Sequence, residues 1–394
     1  MKYSCLVCLL WFFINVVCNA QQANTPFFSY KNGLGITAAD SSFSMNIRFR
    51  MQNRAIMQTV SNTDLSASEV EARVRRCRLR FEGFVWNPKL TYSLQLSFSR
   101  GDMDWSGPDN SKYNTSPNVV RDAMISYKFT PNFTLSFGQG KLPGNRQRVI
   151  SSGDQQFVDR SILNATLNID RDFGLQAAYN NNFGDFNYNF KAALTSGEGR
   201  NSVSSDNGLA YTGRVEVLPF GNFENKGDYF EGDLMREKTP KLSVGAVYSF
   251  NDNAVRSGGQ IGRDLFEKRD METIIGDAVL KYRGFALSGE YIIRNAAKPV
   301  TVSGIQNRNI YVGYGENIQA SYLFKNNVEL AGRFTAMHPY EYRKSTDKPV
   351  THYVLGCTQY LKGHRVKVQE NIGYQNIIGG EKNWYFALQV ELGI

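Results

Sequence analysis

Long stretches of the chain alternate apolar and polar residues with a period of two. Between Leu90 and Phe98, the residues Tyr92, Leu94, Leu96 and Phe98 share one face, and Thr91, Ser93, Gln95 and Ser97 the other. Phe186, Tyr188, Phe190 and Ala192 alternate with Asn187, Asn189, Lys191 and Ala193. Near the C-terminus Trp384, Phe386, Leu388, Val390, Leu392 and Ile394 alternate with Tyr385, Ala387, Gln389, Glu391 and Gly393. A period of two with one apolar face means a strand standing between two different solvents. No period of 3.6 persists beyond a few residues.

The pattern predicts strands at 41–53, 69–86, 89–101, 118–130, 132–140, 172–180, 184–196 and 208–218. It continues at 240–250, 270–283, 285–295, 309–324, 327–337, 350–361, 364–375 and 382–394, sixteen in all. The links between them alternate in length. Tight turns fall at Asn87-Pro88, Pro131, Arg283-Gly284, Lys325-Asn326-Asn327 and Lys362-Gly363-His364. Long polar links fall at 54–68, 102–117, 141–171, 197–207, 251–269, 296–308 and 338–349. A single alternating strand also suits a soluble sandwich. An even strand count, with short turns at one end and long loops at the other, is the pattern of a membrane-spanning β-barrel. One link breaks the alternation: residues 219–239 stand where a short turn belongs and are long. Aromatics flank the tight turns, with Phe84 and Trp86, Phe129 and Phe133, Tyr282 and Phe285, and Tyr322 and Phe324. Rings suit the boundary between headgroups and hydrocarbon, although aromatics also favour strands for their own sake.

The N-terminus adds a compartment. Lys2 precedes an apolar run from Leu6 to Val17, and Cys18-Asn19-Ala20 puts small residues where a cut before Gln21 needs them. Residues 1–20 are therefore expected to be a secretory signal peptide. The run is shorter than the roughly 20 apolar residues of a membrane-spanning helix, and bulky Val17 argues against a lipidated Cys18. Removing residues 1–20 leaves 374 residues with 44 Lys and Arg against 36 Asp and Glu, a formal charge of +8. Only Cys77 and Cys357 then remain, two thiols on separate strands rather than a disulfide framework. With 21 Tyr, 26 Phe and 35 Gly beside 11 Pro, the mature chain is aromatic-rich and glycine-rich. Mean hydropathy is nevertheless −0.39. That combination fits lipid outside and water inside.

The candidate chemistry is basic. Asn46, Arg48, Arg50 and Gln52 alternate with Met45, Ile47, Phe49 and Met51, and Arg76, Arg78, Arg80 and Glu82 with Cys77, Leu79, Phe81 and Gly83. A lipid-facing Arg costs ~2–4 kcal/mol at the bilayer midplane, so five arginines of two neighbouring strands are placed in the lumen. Guanidiniums side by side raise the local potential and grip anions through paired N–H donors. Lumenal carboxylates such as Glu82, Asp122, Glu216 and Glu329 are the alternative partners. The longest link, 141–171, is the candidate for a loop folded into the channel. It carries Lys141, Arg146, Arg148, Arg160 and Arg171 beside Asp154, Asp159 and Asp170, with Asp172 adjoining. Charges on such a loop either select ions or tie the loop to the wall.

A family resemblance rests on three stretches. Phe137-Gly138-Gln139-Gly140-Lys141-Leu142-Pro143, closing a strand, resembles the segment before the inward loop of the phosphate-selective porin O and P family. Asp170-Arg171-Asp172-Phe173-Gly174 resembles the start of that family's next strand, and Arg75 to Gly83 its arginine-bearing second strand. These cover roughly residues 70–180, and the sixteen-strand layout extends the likeness to the mature chain. The resemblance implies a sixteen-stranded, usually trimeric channel that passes anions, with phosphate held by lumenal basic residues. Carried over by position, Arg76, Arg78, Arg80 and Lys141 are the candidates. One departure is Ile394 at the end, where outer-membrane barrels commonly carry an aromatic.

Rival readings are weaker. The histidines His338, His352 and His364 lack the spacing of a metal site, and no Gly-x-Ser-x-Gly elbow occurs. A barrel hydrolase is therefore disfavoured. A plugged binding or adhesion barrel differs only in its lumen. Basic residues spread over lipid-facing strands do not form a nucleic-acid surface, and the roughly 20 residues from Gln21 to Ser41 leave no room for a plug domain. The expectation is an all-β, single-domain outer-membrane barrel over residues 21–394, narrowed by loop 141–171. It passes small hydrophilic solutes with an anion bias and needs no cofactor. Its expected partners are outer-membrane lipid and two further copies in a homotrimer. The candidate pore residues are Arg48, Arg50, Arg76, Arg78, Arg80, Lys141, Arg146, Arg148 and Arg160.

Overall fold

The structure is a computed structural model, and it describes residues 27–30, 33–99, 118–202, 208–340 and 347–394. The leader at 1–20, the link at 102–117 and parts of the links at 197–207 and 338–349 lie outside the described residues.

Sixteen antiparallel strands close into one barrel. They are β1 (Phe43–Thr59), β2 (Ala67–Val85), β3 (Leu90–Ser97), β4 (Val120–Lys128), β5 (Phe133–Lys141), β6 (Arg171–Phe183), β7 (Phe186–Thr195) and β8 (Ala210–Leu218). The second half is β9 (Lys241–Arg256), β10 (Asp264–Tyr282), β11 (Phe285–Asn295), β12 (Gly313–Leu323), β13 (Val328–Pro339), β14 (Val350–Tyr360), β15 (Val366–Ile377) and β16 (Lys382–Gly393). Each strand pairs with its chain neighbour, and β16 returns to β1 with Tyr385 opposite Gln58 and Gly393 opposite Arg50. Closure leaves no unpaired edge, which a bilayer requires. Below the end of β16, Leu34–Thr37 continues the pairing with β1 and forms a hairpin with Phe27–Ser29.

Side-chain burial is inverted relative to a soluble domain. On β8, Tyr211 and Val215 are 49% and 42% exposed while Arg214 and Glu216 are almost completely buried. The same division runs round the barrel, with Phe137, Phe190, Tyr248, Ile318, Leu355 and Phe386 outside and Gln95, Arg294, Asn317, Gln369 and Glu391 inside. Trp86, Phe129, Phe285, Tyr322 and Phe324 stand exposed beside the tight turns. Cys77 and Cys357 are free thiols.

Two strand pairs run further than the alternation suggests. The β1–β2 link shrinks to the residues between Thr59 and Ala67, and the β9–β10 link to those between Arg256 and Asp264. Polar residues hid these extensions, because strands rising past the bilayer no longer need an apolar face. The link after β11 contains a small hairpin of Val300–Ser303 and Gln306–Asn309.

Candidate functional site

The loop between β5 and β6 enters the lumen, carrying two short helices, α1 (Arg146–Val149) and α2 (Ile162–Leu167). Its apolar side chains Leu163 and Leu167 pack with Val247, Ile275 and Ile292 on the wall of β9, β10 and β11. Its polar tip crosses to the opposite wall. There the Lys367 Nζ donates to the carbonyls of Gly153 and Gln155 at 2.8 and 2.6 Å, and the Val158 N–H donates to Asn371 at 2.7 Å. Apolar contact on one side and hydrogen bonds on the other fix a loop that would otherwise be mobile.

The link 219–240 also folds inward, from the turn end of the barrel. Lys281 Nζ donates to the carbonyls of Gly227 and Phe230 at 2.6 and 2.8 Å, and also to that of Gly232. The Arg236 guanidinium donates to the Leu323 and Phe324 carbonyls at 2.7 and 2.6 Å. The insert meets the loop directly. The Glu231 N–H donates to the Asp154 carbonyl at 2.8 Å, and the Glu231 carboxylate accepts from the Gln156 N–H at 2.9 Å. The break in the loop–turn alternation was its signal in the sequence; its direction into the lumen was not readable.

Between the insert, the loop tip and β1–β2 lies a cavity of about 500 Å³. Arg48, Arg50, Arg78 and Arg80 line it, because Arg48 stands opposite Arg80 and Arg50 opposite Arg78 in the strand register. Like charges directly opposite destabilise a sheet, and among the described residues Glu82 and Glu391 answer them. Glu82 pairs with both Arg48 and Arg80, at 2.5 and 2.9 Å. Arg50 lies 3.7 Å from Glu391 and donates to the hydroxyls of Ser151 and Ser152, the second of which also takes Arg78. Among the described residues seven basic side chains line the cavity against four acidic ones, with Glu82 a fifth carboxylate beside Arg48 and Arg80.

The remaining candidates sit elsewhere. Arg76 is buried beneath the loop, donating to Gln52 at 2.8 Å and lying 3.5 Å from Asp159. Lys141 donates to the Val149 and Ile150 carbonyls, and Arg160 to those of Gln147 and Ile150, so both act inside the loop. Burial, with Arg148 and Arg76 nearby, lowers the Arg160 pKa. Arg146 bonds Asp277 at 2.7 Å and Glu216 at 3.2 Å, a cluster shared with Arg214 and Lys191. Arg148 pairs with Asp170 at 2.5 Å. Burial pushes the Asp170 carboxyl up, but Arg148 and Arg171 outweigh it and hold it well below the ordinary range. Of the nine, four face the cavity and five brace the loop.

The comparisons with known proteins agree with the sixteen-stranded barrel. Residues 45–330 match the phosphate-selective porin O and P family, well over half of the chain. The chain belongs to that family. It is an outer-membrane porin, its barrel set in the bacterial outer membrane. An uncharacterized protein of Aquifex aeolicus (strain VF5) is 23% identical to this porin over 359 residues, covering 83% of this chain and 81% of its own. Solved barrels share the fold at lower identity. The anion-selective porin from Comamonas acidovorans is 13% identical with a TM-score of 0.54, covering 89% of this chain and 100% of its own. OmpT of Vibrio cholerae, in its trimer form, is 12% identical with a TM-score of 0.52, covering 89% and 99%.

Proposed function

We propose that this porin lets small hydrophilic solutes diffuse across the outer membrane with a bias toward anions, and that it catalyses no reaction. The observation that carries the reading is the cavity lined by Arg48, Arg50, Arg78 and Arg80, with one carboxylate, Glu82, shared between its two most exposed arginines. A charged constriction selects by field and by diameter. The loop supplies the diameter, and its braces Lys141, Arg146, Arg148 and Arg160, with Arg76 beneath it, hold it there. Phosphate is the expected preferred inorganic anion, supported by the family description and by paired guanidiniums that suit its oxygens. Residues 1–20 act as the signal peptide in this reading. A homotrimer is the expected assembly, as in the trimer form of OmpT.

Single-channel conductance in planar bilayers under a potassium chloride gradient tests the function. Stable open steps with a reversal potential favouring chloride, reduced by millimolar phosphate, are the expected result. A folded, heat-modifiable barrel that never conducts overturns it in favour of a plugged binding barrel.

A further inference from the structure

The cavity is not polar throughout. Phe230, Leu234 and Met235 of the inward insert line it together with the arginines of β1 and β2. Met235 is 40% exposed there, with its sulfur accepting from Asn225 at 3.2 Å. A porin lumen is normally polar, and apolar side chains standing in water forgo the stabilisation that burial gives. The chain could have hidden them, since the insert is firmly placed rather than loose. Lys281 collects three of its carbonyls, the Asp233 carboxylate accepts from the Gly284 N–H at 2.7 Å, and Arg236 grips the end of β12. A fixed segment therefore presents an apolar surface to a space about 500 Å³ in volume. That volume is many times the roughly 30 Å³ share of one water molecule and within the range of small-molecule sites.

We propose that this cavity is a binding site for small organic phosphates and related organic anions, which it holds more tightly than inorganic phosphate. The guanidiniums of Arg48 and Arg80 take the anionic head, and Leu234 and Met235 cover an apolar or ring-shaped body. The proposal rests on the anion reading above and adds a solute class to it. The head group is held by charge-assisted hydrogen bonds at the most exposed arginines, whose side chains are 37% and 40% accessible. The body replaces water on the insert, which is where the discrimination arises.

Block of single-channel current by phenyl phosphate and by inorganic phosphate separates the two contributions, because the probes share a head and differ in body. In the native porin, phenyl phosphate should block at about tenfold lower concentration, a difference of ~1.4 kcal/mol. The double variant Leu234→Ser, Met235→Ser should lose that difference and keep its preference for chloride over potassium. The conservative pair Leu234→Ile, Met235→Leu should retain it. Heat-modifiability on gels confirms that each variant is folded. Equal block by the two probes in the native porin overturns the proposal and leaves the anion reading standing. So does a tenfold difference that survives in the serine variant. No chloride preference in the native porin sinks the anion reading, and this proposal with it.

Discussion

Asp170 closes the loop that it ends, with its carboxylate 2.5 Å from the Arg148 guanidinium and 3.5 Å from that of Arg171. Its folded pKa lies well below the ordinary value, since the two arginines outweigh the burial that opposes them. A depressed carboxyl contributes fully above its unfolded pKa, about 3.9, and the contribution is lost as the pH falls through the lower folded value. Conductance should accordingly show no change owed to Asp170 from neutral pH to about pH 4. Below that it should become larger and noisier as the loop loosens. Asp170→Asn should show the loosened behaviour at neutral pH. Open steps at neutral pH that are indifferent to Asp170→Asn would refute this account. At this scale the face of each arginine was legible, because a charge in lipid is so costly that alternation alone sends Arg48, Arg50, Arg78 and Arg80 inward. Their partners were not legible. Arg78 meets Ser152 across 74 positions and Gln52 meets Glu391 across 339, separations on which a periodic pattern is silent.

At the scale of elements, the loop is seated by knobs in notches cut from the wall. A Cβ on Gly356 of β14 would lie 3.0 Å from the ring of Phe157, and one on Gly315 of β12 only 2.5 Å from the Leu163 side chain. Both loop residues are almost completely buried. Phe157→Ala removes a buried ring, a change that costs about 3–5 kcal/mol in a packed core. That loss falls on the loop, because the hydrogen-bonded strands close without it. The variant should therefore keep its heat-modifiable barrel and show a larger, fluctuating conductance, and Gly356→Val should do the same by filling the notch. Unchanged open steps in both variants would mean that Phe157 does not seat the loop. The sixteen strands and the candidate loop were readable from period and link length. The two short helices were not, since four and six residues are too few to reveal a period. Nor was the insert's inward turn, which depends on Lys281 reaching three carbonyls that no local pattern marks.

The molecule as a whole is defined by two solvents, and the outer one leaves a signature that depends on depth. Leu355 in the middle of β14 and Leu361 at the turn just beyond it are 68% and 66% exposed. In a soluble sandwich these two positions would tolerate a charge almost equally, because exposure sets the cost there. In a bilayer they differ. Leu355 lies beside Gly332 and Ile372 on the neighbouring strands, well inside the wall, whereas Leu361 begins the tight turn to β15. An arginine at midplane depth costs ~2–4 kcal/mol and one near the interface ~0–1. Leu355→Arg should lower the unfolding free energy in lipid vesicles by the larger amount and Leu361→Arg by the smaller, followed by denaturant titration of tryptophan fluorescence. Repeating the titration in detergent micelles, whose apolar layer adapts to the protein, should shrink the difference between the variants. Equal losses in vesicles would place both residues at the same depth and contradict the assignment of the tight turns to the membrane interface.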